Sequence, residues 1–426
     1  MDQEYRLKYS VRMNPSTGLR RSLSDDSDVS FLPMESIGEY GTLDLSQTKK
    51  YEDVKTGYTY FEEDDVVFAK ITPCFENGKG TIGEGLINHV GYGTTELHVL
   101  RPIPNLSNKR FIYYLTMSHH FRKNGESEMY GAGGQKRVPS SYVENYKLHL
   151  PTVETQIQIA DFLDKETTRI DTLISKKQKQ IELLQEKRQA IITQSVTKGL
   201  NPDVKMKDSG VEWIGEIPEH WDTLKMRFLF SFTGGGTPST ENPEYWGGEI
   251  PWVSSKDMKT DFITDTQDHI TELGVQESST NLIPKGTLLI VMRSGILQHS
   301  IPCSITEVIV SVNQDIKAFI PKKKVVPDFY SLFIKGYQKQ LLFQWRKQGA
   351  TVESLDLDLI KNFKIMIPPY EEQNKIVQET RILVEKNESV IEKINKSIDL
   401  LKEYRSSLIT HAVSGQIDIT KYEVSK

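Results

Sequence analysis

Two stretches of the chain decide its architecture: "LPTVETQIQIADFLDKETTRIDTLISKKQKQIELLQEKRQAIITQSVTKGL" (residues 150–200) and "IPPYEEQNKIVQETRILVEKNESVIEKINKSIDLLKEYRSSLITHAVSGQI" (residues 367–417). They align without a gap at an offset of 217 residues. Two unrelated amphipathic helices can share apolar positions by pattern alone. These stretches also share polar and proline positions, namely Pro151/Pro368, Gln156/Gln373, Arg188/Arg405 and Thr193/Thr410. A match of this kind indicates an internal duplication.

The repeat extends into the flanking sequence at the same offset. "NYKLHLP" (145–151) aligns with "NFKIMIP" (362–368), and "FIYYL" (111–115) aligns with "DFYSL" (328–332). We therefore predict an α+β protein that is a pseudo-two-fold tandem repeat of two mixed α/β heads and two long helices. The predicted segments are a first head (1–150), a first helix (151–200), a second head (201–368), a second helix (369–415) and a tail (416–426).

Each predicted helix carries an apolar stripe at coiled-coil spacing. The stripe consists of Ile170, Ile174, Ile181, Leu184 and Ile191 in the first helix, and of Ile391, Ile394, Ile398, Leu401 and Leu408 in the second. Because the first helix leads from head one to head two and the second leads back, we expect an antiparallel coiled coil. About 30 helical residues would make a rod of about 45 Å. Packing of each helix on its own head is the alternative.

Composition excludes several classes of protein. The 426 residues are 37% hydrophobic and 26% charged, with a net charge of −5 and only two cysteines, Cys74 and Cys303. These values are typical of a folded protein and argue against a histone-like polycation, a disulfide framework and a zinc knuckle. The sequence shows no signal peptide and no apolar run of membrane-spanning length. We expect a soluble cytoplasmic protein with no membrane partner.

The stretch "GGGTPSTENPEYWGG" (234–248) looks at first like a cofactor site. A nucleotide or AdoMet loop requires a strand, a glycine turn and then a helix. Here Pro238 and Pro243 follow the glycines, so no helix can continue from the turn. "NPEY" also follows too closely to form the separate amine-binding motif of an adenine methyltransferase. No nuclease, Walker or metal-ligand pattern is present either, so we predict no catalytic residue, no metal site and no cofactor bound by this chain.

Polar side chains on glycine-containing loops are the remaining functional signal. "KITPCFENGKG" (70–80) and "MRSGILQHS" (292–300) each follow an apolar strand, and "GAGGQKRVPS" (131–140) is a similar loop. Side chains of these types contact base edges and phosphates. The predicted DNA-binding residues are Arg20, Arg21, Lys70, Thr72, Asn77, Lys79, Gln135, Lys136 and Arg137 in the first head, and Thr237, Ser239, Thr240, Ser254, Ser255, Lys256, Arg293, Ser294, Gln298 and His299 in the second. Polar surface turns without a ligand are the alternative.

Taken together, the motifs resemble the DNA specificity subunits of Type I restriction-modification systems. The resemblance is carried by "DSGVEWIGEIPEHW" (208–221), "GGGTPSTENPEYWGGEIPWVSSKDM" (234–258), "DDVVFAKITPCFENGK" (64–79), "GGQKRVPSSYVENYKLHLP" (133–151) and the two helix repeats, which cover nearly the whole chain. It implies a non-catalytic subunit in host defence whose two target recognition domains each recognise one half of a split sequence in double-stranded DNA. It also implies that the paired helices set the spacer between the two halves. A rod of the estimated length would hold the two heads about one turn of DNA apart, since successive major-groove faces are roughly 34 Å apart.

The same resemblance implies two methylation subunits and restriction subunits as partners. AdoMet, ATP and Mg²⁺ would be bound by those partners, which would methylate adenine and cleave DNA. The first half departs from the family pattern, since "NPSTGLRRSL" and "VSFLPMESI" stand where the second half has its glycine run. We therefore expect its recognition loop to be built differently. Two other functions stay open, a stand-alone adenine methyltransferase and a coiled-coil adaptor that binds no DNA.

Overall fold

A computed structural model describes residues 4–16, 18–132, 134–349 and 351–419. The chain divides into two compact units, Met1–Gln178 with Asn395–Lys426, and Lys179–Ile394. Each unit therefore contains one head and parts of both long helices. The two divisions fall inside the long helices rather than at their ends, because each helix packs on a head at both of its ends.

The first head is built from short strands and short helices. Its strands are β1 (Tyr5–Arg6), β2 (Val11–Met13), β3 (Asp28–Leu32), β4 (Thr48–Lys50), β5 (Thr59–Glu62), β6 (Val66–Ala69), β7 (Gly80–Ile82), β8 (Val90–Gly93), β9 (Leu97–Pro102) and β10 (Lys147–Leu148). Its helices are α1 (Tyr51–Val54), α2 (Lys109–Met117), α3 (His119–Ser127) and α4 (Ser140–Asn145), followed by the long helix α5 (Val153–Lys198). The two four-stranded sheets have the orders β2-β9-β6-β7 and β4-β3-β8-β5.

The second head has the same plan with longer strands. Its strands are β11 (Met206–Asp208), β12 (Glu216–Pro218), β13 (Asp222–Lys225), β14 (Phe230–Gly234), β15 (Trp246–Val253), β16 (Phe262–Ile263), β17 (Asp268–Ile270), β18 (Leu288–Val291), β19 (Cys303–Thr306), β20 (Ser311–Val312), β21 (Ile316–Pro321) and β22 (Lys364–Ile367). Its helices are α6 (Met226–Leu229), α7 (Glu272–Gln276), α8 (Pro327–Gly336), α9 (Gln338–Trp345) and α10 (Leu357–Asn362), followed by the long helix α11 (Tyr370–Val413). The main sheet has the order β14-β21-β18-β19-β16.

Strand pairing shows that the duplication includes the heads. In each head the entry strand pairs antiparallel with the strand just before the long helix, β1 with β10 and β13 with β22. The order β2-β9-β6-β7 corresponds to β14-β21-β18-β19, and the parallel pair β3/β8 corresponds to β15/β20. The prediction of an α+β tandem repeat is therefore confirmed.

A buried glutamine joins each long helix to its own head. Gln156 and Gln373 are both fully buried and occupy equivalent positions of the repeat. The Gln156 amide accepts a hydrogen bond from the N–H of Asn108 (2.8 Å) and donates to the carbonyl of Pro151 (2.9 Å). The Gln373 amide accepts from the N–H of Val326 (2.9 Å) and donates to the equivalent proline carbonyl (2.9 Å). A buried amide with these partners satisfies its own polar groups and fixes the angle at which the helix leaves the head.

An ion pair next to each glutamine has opposite polarity in the two repeats. In the first, Arg110 of α2 contacts Asp164 of α5 (2.5 Å). In the second, the guanidinium of Arg381 of α11 donates to Asp328 of α8 (Nε–Oδ2 2.7 Å). Asp164 and Arg381 are equivalent positions of the two helices, so the acid and the base have exchanged sides.

The two helices also contact each other within each unit. In the second unit, Arg188 of α5 pairs with Glu388 of α11 (3.0 Å), and Gly199 just beyond α5 faces the carboxylate of Glu372. Residues later in α5 therefore contact residues earlier in α11, so the two helices are antiparallel. In the first unit, Arg405 of α11 pairs with Asp171 of α5, which are the equivalent positions of the repeat. None of the ten residues of the predicted apolar stripe is exposed.

Helix α5 has 46 residues and α11 has 44, so they nearly fill the predicted segments 151–200 and 369–415 and exceed the 30 or so residues used to estimate the length of the rod. The rod estimate was too short because it left out the turns that pack on the heads. The first turns of α5 pack on the first head through buried Ile159 and Leu163, and its last turns join the core of the second head through Ile192 and Val196. Packing on the heads, first considered as an alternative, therefore occurs together with the pairing of the helices.

Candidate nucleic-acid interface

The two predicted loops of the first head lie side by side where β6 ends. The N–H of Lys70 donates to the carbonyl of Glu96 (2.9 Å), and the Lys70 carbonyl accepts from the N–H of Val138 (2.8 Å). The N–H of Thr72 donates to the carbonyl of Lys136 (2.9 Å). Residues 136–138 thus continue the edge of the sheet beyond β6, which brings loops 70–80 and 131–140 together.

Charged side chains are held in place along this edge. Arg137 donates two hydrogen bonds to the carboxylate of Glu96 (2.9 and 2.8 Å). The hydrogen bond from Arg137 lowers the pKa of Glu96, and the nearby positive charge of Lys70 lowers it further. Glu96 therefore stays ionised and orients the guanidinium of Arg137 in a bidentate pair.

The other predicted residues of the first head differ in their surroundings. Asn77, Gln135 and Lys136 are exposed. Two others are bonded within the head: the hydroxyl of Thr72 donates to Glu76 (2.8 Å), and the ammonium of Lys79 donates to the carbonyl of Met34 (3.1 Å). The side chains of Arg20 and Arg21 lie outside the described part of the structure.

The corresponding edge of the second head has the same backbone arrangement. The N–H of Met292, just after β18, donates to the carbonyl of Asp315 (2.7 Å), and its carbonyl accepts from the N–H of Leu355 (2.8 Å). These bonds match those of Lys70 with Glu96 and Val138 in the first head. Arg293 then donates its Nε to the carboxylate of Asp315 (2.7 Å). Each head therefore places an arginine–carboxylate pair at the end of its central strand.

The glycine run of the second head is part of the sheet framework. A Cβ added at Gly235 would lie 1.9 Å from the carbonyl oxygen of Val312, so only glycine allows the two backbones to approach this closely. The carbonyl of Gly236 accepts hydrogen bonds from the indole of Trp252 (3.0 Å) and the hydroxyl of Thr280 (2.8 Å). Residues 235 and 236 therefore pack closely against the neighbouring segments of the second head.

The "NPEY" motif is likewise structural. The side chain of Asn242 accepts a hydrogen bond from the N–H of Glu244 (3.1 Å) and caps a single 3₁₀ turn. The hydroxyl of Tyr245 donates to Glu277 (2.7 Å). Both groups are therefore bonded within the protein rather than positioned around a substrate amine.

Three predicted segments of the second head meet at residues 313–315. The hydroxyl of Thr237, beyond the glycine run, donates to the side chain of Gln314 (2.7 Å). The N–H of Asn313 donates to the carbonyl of Val253, directly before the predicted loop 254–256 (3.0 Å). Asp315 binds Arg293, as described above. The polar turn "NQD" between β20 and β21 therefore connects segments that are distant in sequence.

The remaining predicted residues of the second head lie around this turn and on the adjoining loop. The hydroxyl of Ser254 donates to Asp257 (2.8 Å) and also accepts from the N–H of Lys256 (3.3 Å). The hydroxyl of Ser294 caps the short helix Gly295–Gln298. The exposed members are Ser239, Thr240, Ser255, Lys256, Gln298 and His299.

Sequence reasoning missed the turns that connect these loops. Glu96 and the segment 313–315 carry no motif, since short polar turns between strands are common. Arg346 was also missed; it pairs with Glu353 (3.1 Å) and donates to the carbonyl of Leu297 in the recognition loop (3.5 Å). An available signal was the 24-residue run 329–352, which contains four cations and no acid in a chain with 58 acidic residues.

The described residues lack two other kinds of functional feature. Within the described ranges, no group of three or more His, Cys, Asp or Glu side chains is arranged to hold a metal ion. Across the part of the chain that the structure describes, no helix has the length and apolar character needed to cross a membrane.

Comparison with known proteins agrees with this architecture. The model of the Type I restriction modification DNA specificity domain matches residues 16–183 and 218–399, which together make up most of the chain. The chain belongs to this family. The two matches coincide with the two repeats, and the resemblance inferred from the sequence motifs is confirmed.

Individual relatives and a solved structure extend the comparison. The chain is 37% identical over 201 residues to the Type I restriction enzyme EcoAI specificity subunit of Escherichia coli, a match to 47% of this chain and 33% of that relative. It is 28% identical over 275 residues to the EcoR124I/EcoR124II specificity subunit of Escherichia coli, covering 63% of this chain and 61% of that relative. The matches thus span less than two thirds of either relative. A structure from a study of type I R-M system assembly shares the fold, with a TM-score of 0.76, 14% identity, and coverage of 97% of this chain and 98% of that one.

Proposed function

We propose that this chain is the DNA specificity subunit of a Type I restriction-modification complex, in which each head recognises one half of a bipartite target. The observation that supports this most strongly is that both heads place an arginine–carboxylate pair at the same edge, although the arginine precedes Val138 in the first head and follows Met292 in the second. Each presents an arginine–carboxylate pair, Arg137–Glu96 or Arg293–Asp315, beside exposed amide and cationic side chains. Asp315 binds the Nε of Arg293, and among the described contacts the terminal nitrogens remain available for the O6 and N7 atoms of guanine.

We further propose that the chain itself is not catalytic. Two methylation subunits and the restriction subunits would dock on it, supply AdoMet, ATP and Mg²⁺ chemistry, and act on the chromosome in the cytoplasm. The glycine run and "NPEY" support this, because their polar groups are bonded within the protein. Measurable AdoMet binding by the purified chain would instead favour a stand-alone adenine methyltransferase.

The first experiment is mapping of adenine methylation in the host genome with and without this gene. The proposal requires that one bipartite motif, two short halves around a fixed gap, loses methylation when the gene is deleted. If no motif disappears, binding of random-sequence duplexes by the complex with its methylation subunits separates an inactive methylase from heads that do not bind DNA. A steep decrease in affinity with salt excludes the adaptor, because phosphate contacts release counterions.

Side-chain variants then test the two recognition edges. We expect Lys70→Ala to weaken binding or alter the first half of the motif. The matched control is Lys147→Ala, an exposed lysine of the same unit that pairs with Glu4 outside the loops. In the second head, Arg293→Lys keeps the charge but loses the bidentate geometry, so it should relax the second half while retaining the salt dependence. Unchanged affinity and motif in both variants would show that these loops do not contact DNA.

The helices would set the gap between the two half-sequences. One heptad inserted after Gln178 and one after Ile394, where the compact units divide, keeps the apolar stripe in phase. Seven residues add about 10 Å of helix, or about three base pairs. We expect the gap in the methylated motif to lengthen while both half-sequences stay the same. An unaltered gap would refute the spacing role.

A further inference from the structure

Helix α9 carries the most exposed large apolar side chain among the described residues. Phe343 is 85% exposed, whereas its helix neighbours Leu341, Leu342 and Trp345 are buried. An isolated exposed apolar residue is ordinary in itself. The surroundings of Phe343 are what distinguish it.

The surface around Phe343 is cationic and rich in amides. Lys339 lies one helical turn before it and Arg346 follows the helix, both within the acid-free run 329–352. The same run includes the exposed side chains Gln340, Gln344, Lys347 and Gln348. A positive, amide-rich surface with a projecting aromatic ring has the chemistry of a nucleic-acid contact.

This surface is continuous with the recognition loop of the second head. A groove of about 550 Å³ is lined by Lys339, Phe343 and Arg346 together with Gln298 and His299 of the loop. A second groove of about 390 Å³ lies beside the same ring and includes Trp213. Phe343 therefore stands between two depressions, one of which contains predicted DNA-binding residues.

We propose that α9 forms a second DNA contact of this head, with Phe343 packing against bases or sugars while Lys339 and Lys347 bind phosphates. The inference rests on the proposed function and extends it to a surface that the recognition loops do not include. Phenylalanine is among the side chains that proteins insert against DNA bases, where the ring gains apolar contact that it lacks in the free protein.

The test uses the full chain in complex with its methylation subunits, and a duplex carrying the motif found by methylation mapping. Phe343→Ala should raise the Kd about tenfold to a hundredfold, because the variant loses the favourable burial of a phenylalanine ring on binding. Lys339→Ala should reduce the slope of log affinity against log salt by about one. The matched control is Phe228→Ala, which removes a 57% exposed ring that stacks with Arg227 in the same head but lines neither groove.

Photo-crosslinking identifies what the ring contacts. With a benzophenone amino acid at position 343, crosslinks to the second half of the duplex support the inference. Crosslinks to a methylation subunit, or none, overturn it, as does an equal loss of affinity in Phe343→Ala and Phe228→Ala. Normal binding by Phe343→Ala overturns this inference alone, whereas failure of the unaltered complex to bind any duplex overturns the proposed function as well.

Discussion

Arg405 and Arg188 occupy the same position of the two repeats but have different surroundings, which allows a matched test of stability. The Arg405 side chain is only 7% exposed, and its guanidinium lies 3.4 Å from the ring centroid of Tyr40 and pairs with Asp171. A desolvated cation–π contact contributes about 2 kcal/mol, and the half-exposed pair adds up to about 1 kcal/mol. Among the described residues, the buried Nε of Arg405 lacks a partner, and its removal recovers about 1 kcal/mol. We therefore expect Arg405→Ala to cost about 2 kcal/mol.

The control variant is Arg188→Ala. Arg188 is 42% exposed and pairs with Glu388, which is 48% exposed, so its removal should cost less than about 1 kcal/mol. Hydrogen exchange of the backbone amides in residues 395–413 and 179–198 would give the local free energy of opening for each variant. Arg405→Lys keeps the charge but not the planar group and should lie between the two. Equal losses for Arg405→Ala and Arg188→Ala would refute the argument from burial.

Three further predictions concern the framework of the heads. Gly235→Ala should destabilise the second head by about 2 kcal/mol or more in urea unfolding, because its Cβ collides with a carbonyl of the neighbouring strand. Gly295→Ala should be nearly neutral in the same measurement, because its Cβ meets no atom within 4 Å. Arg381→Asp should lower the free energy of unfolding by about 3 kcal/mol, because the new carboxylate faces both Asp328 and Asp261. The added exchange Asp328→Arg should recover only the part of this loss that comes from Asp328, and no recovery would show that residues 381 and 328 do not act as a pair. Burial lowers the pKa of His98 from 6.5 to about 4, so the folded state favours the neutral ring. The contribution of His98 to the free energy of unfolding should therefore be full above pH 6.5 and decrease by about 3 kcal/mol as the pH falls to about 4. The free energy of unfolding of His98→Gln should vary less over this pH range.

The long helices could be predicted because the residues that define each helix are close together in the sequence, and because the same pattern occurs twice. Apolar residues at coiled-coil spacing and the shared Pro151/Pro368 define a helix without knowledge of the heads. Their packing on the heads could not be predicted, since Ile159 and Ile192 become core residues only through contact with a head. The apolar stripe predicts the packing of each long helix on the other long helix, but not its packing on the heads.

The sheets and the binding edges depend on contacts between distant residues. Most strands have only two to five residues, and pairs such as β3 with β8 join segments about 60 residues apart. Glycine-rich loops could be predicted from composition, but the turn 313–315 that connects them could not. Phe343 illustrates the same limit, because in "LLFQW" (341–345) it is indistinguishable from the buried Leu341, Leu342 and Trp345.

The exchanged polarity of the head–helix ion pairs defines where a chimaeric protein can be joined. A chimaera that fused the first head to the second helix at the shared proline would place Arg110 opposite Arg381. The reverse fusion would place Asp328 opposite Asp164. Like charges in a partly buried contact are unfavourable in both cases. The interchangeable module is therefore a head together with the first three turns of its own helix, and junctions made beyond Asp164 or Arg381 keep each pair intact.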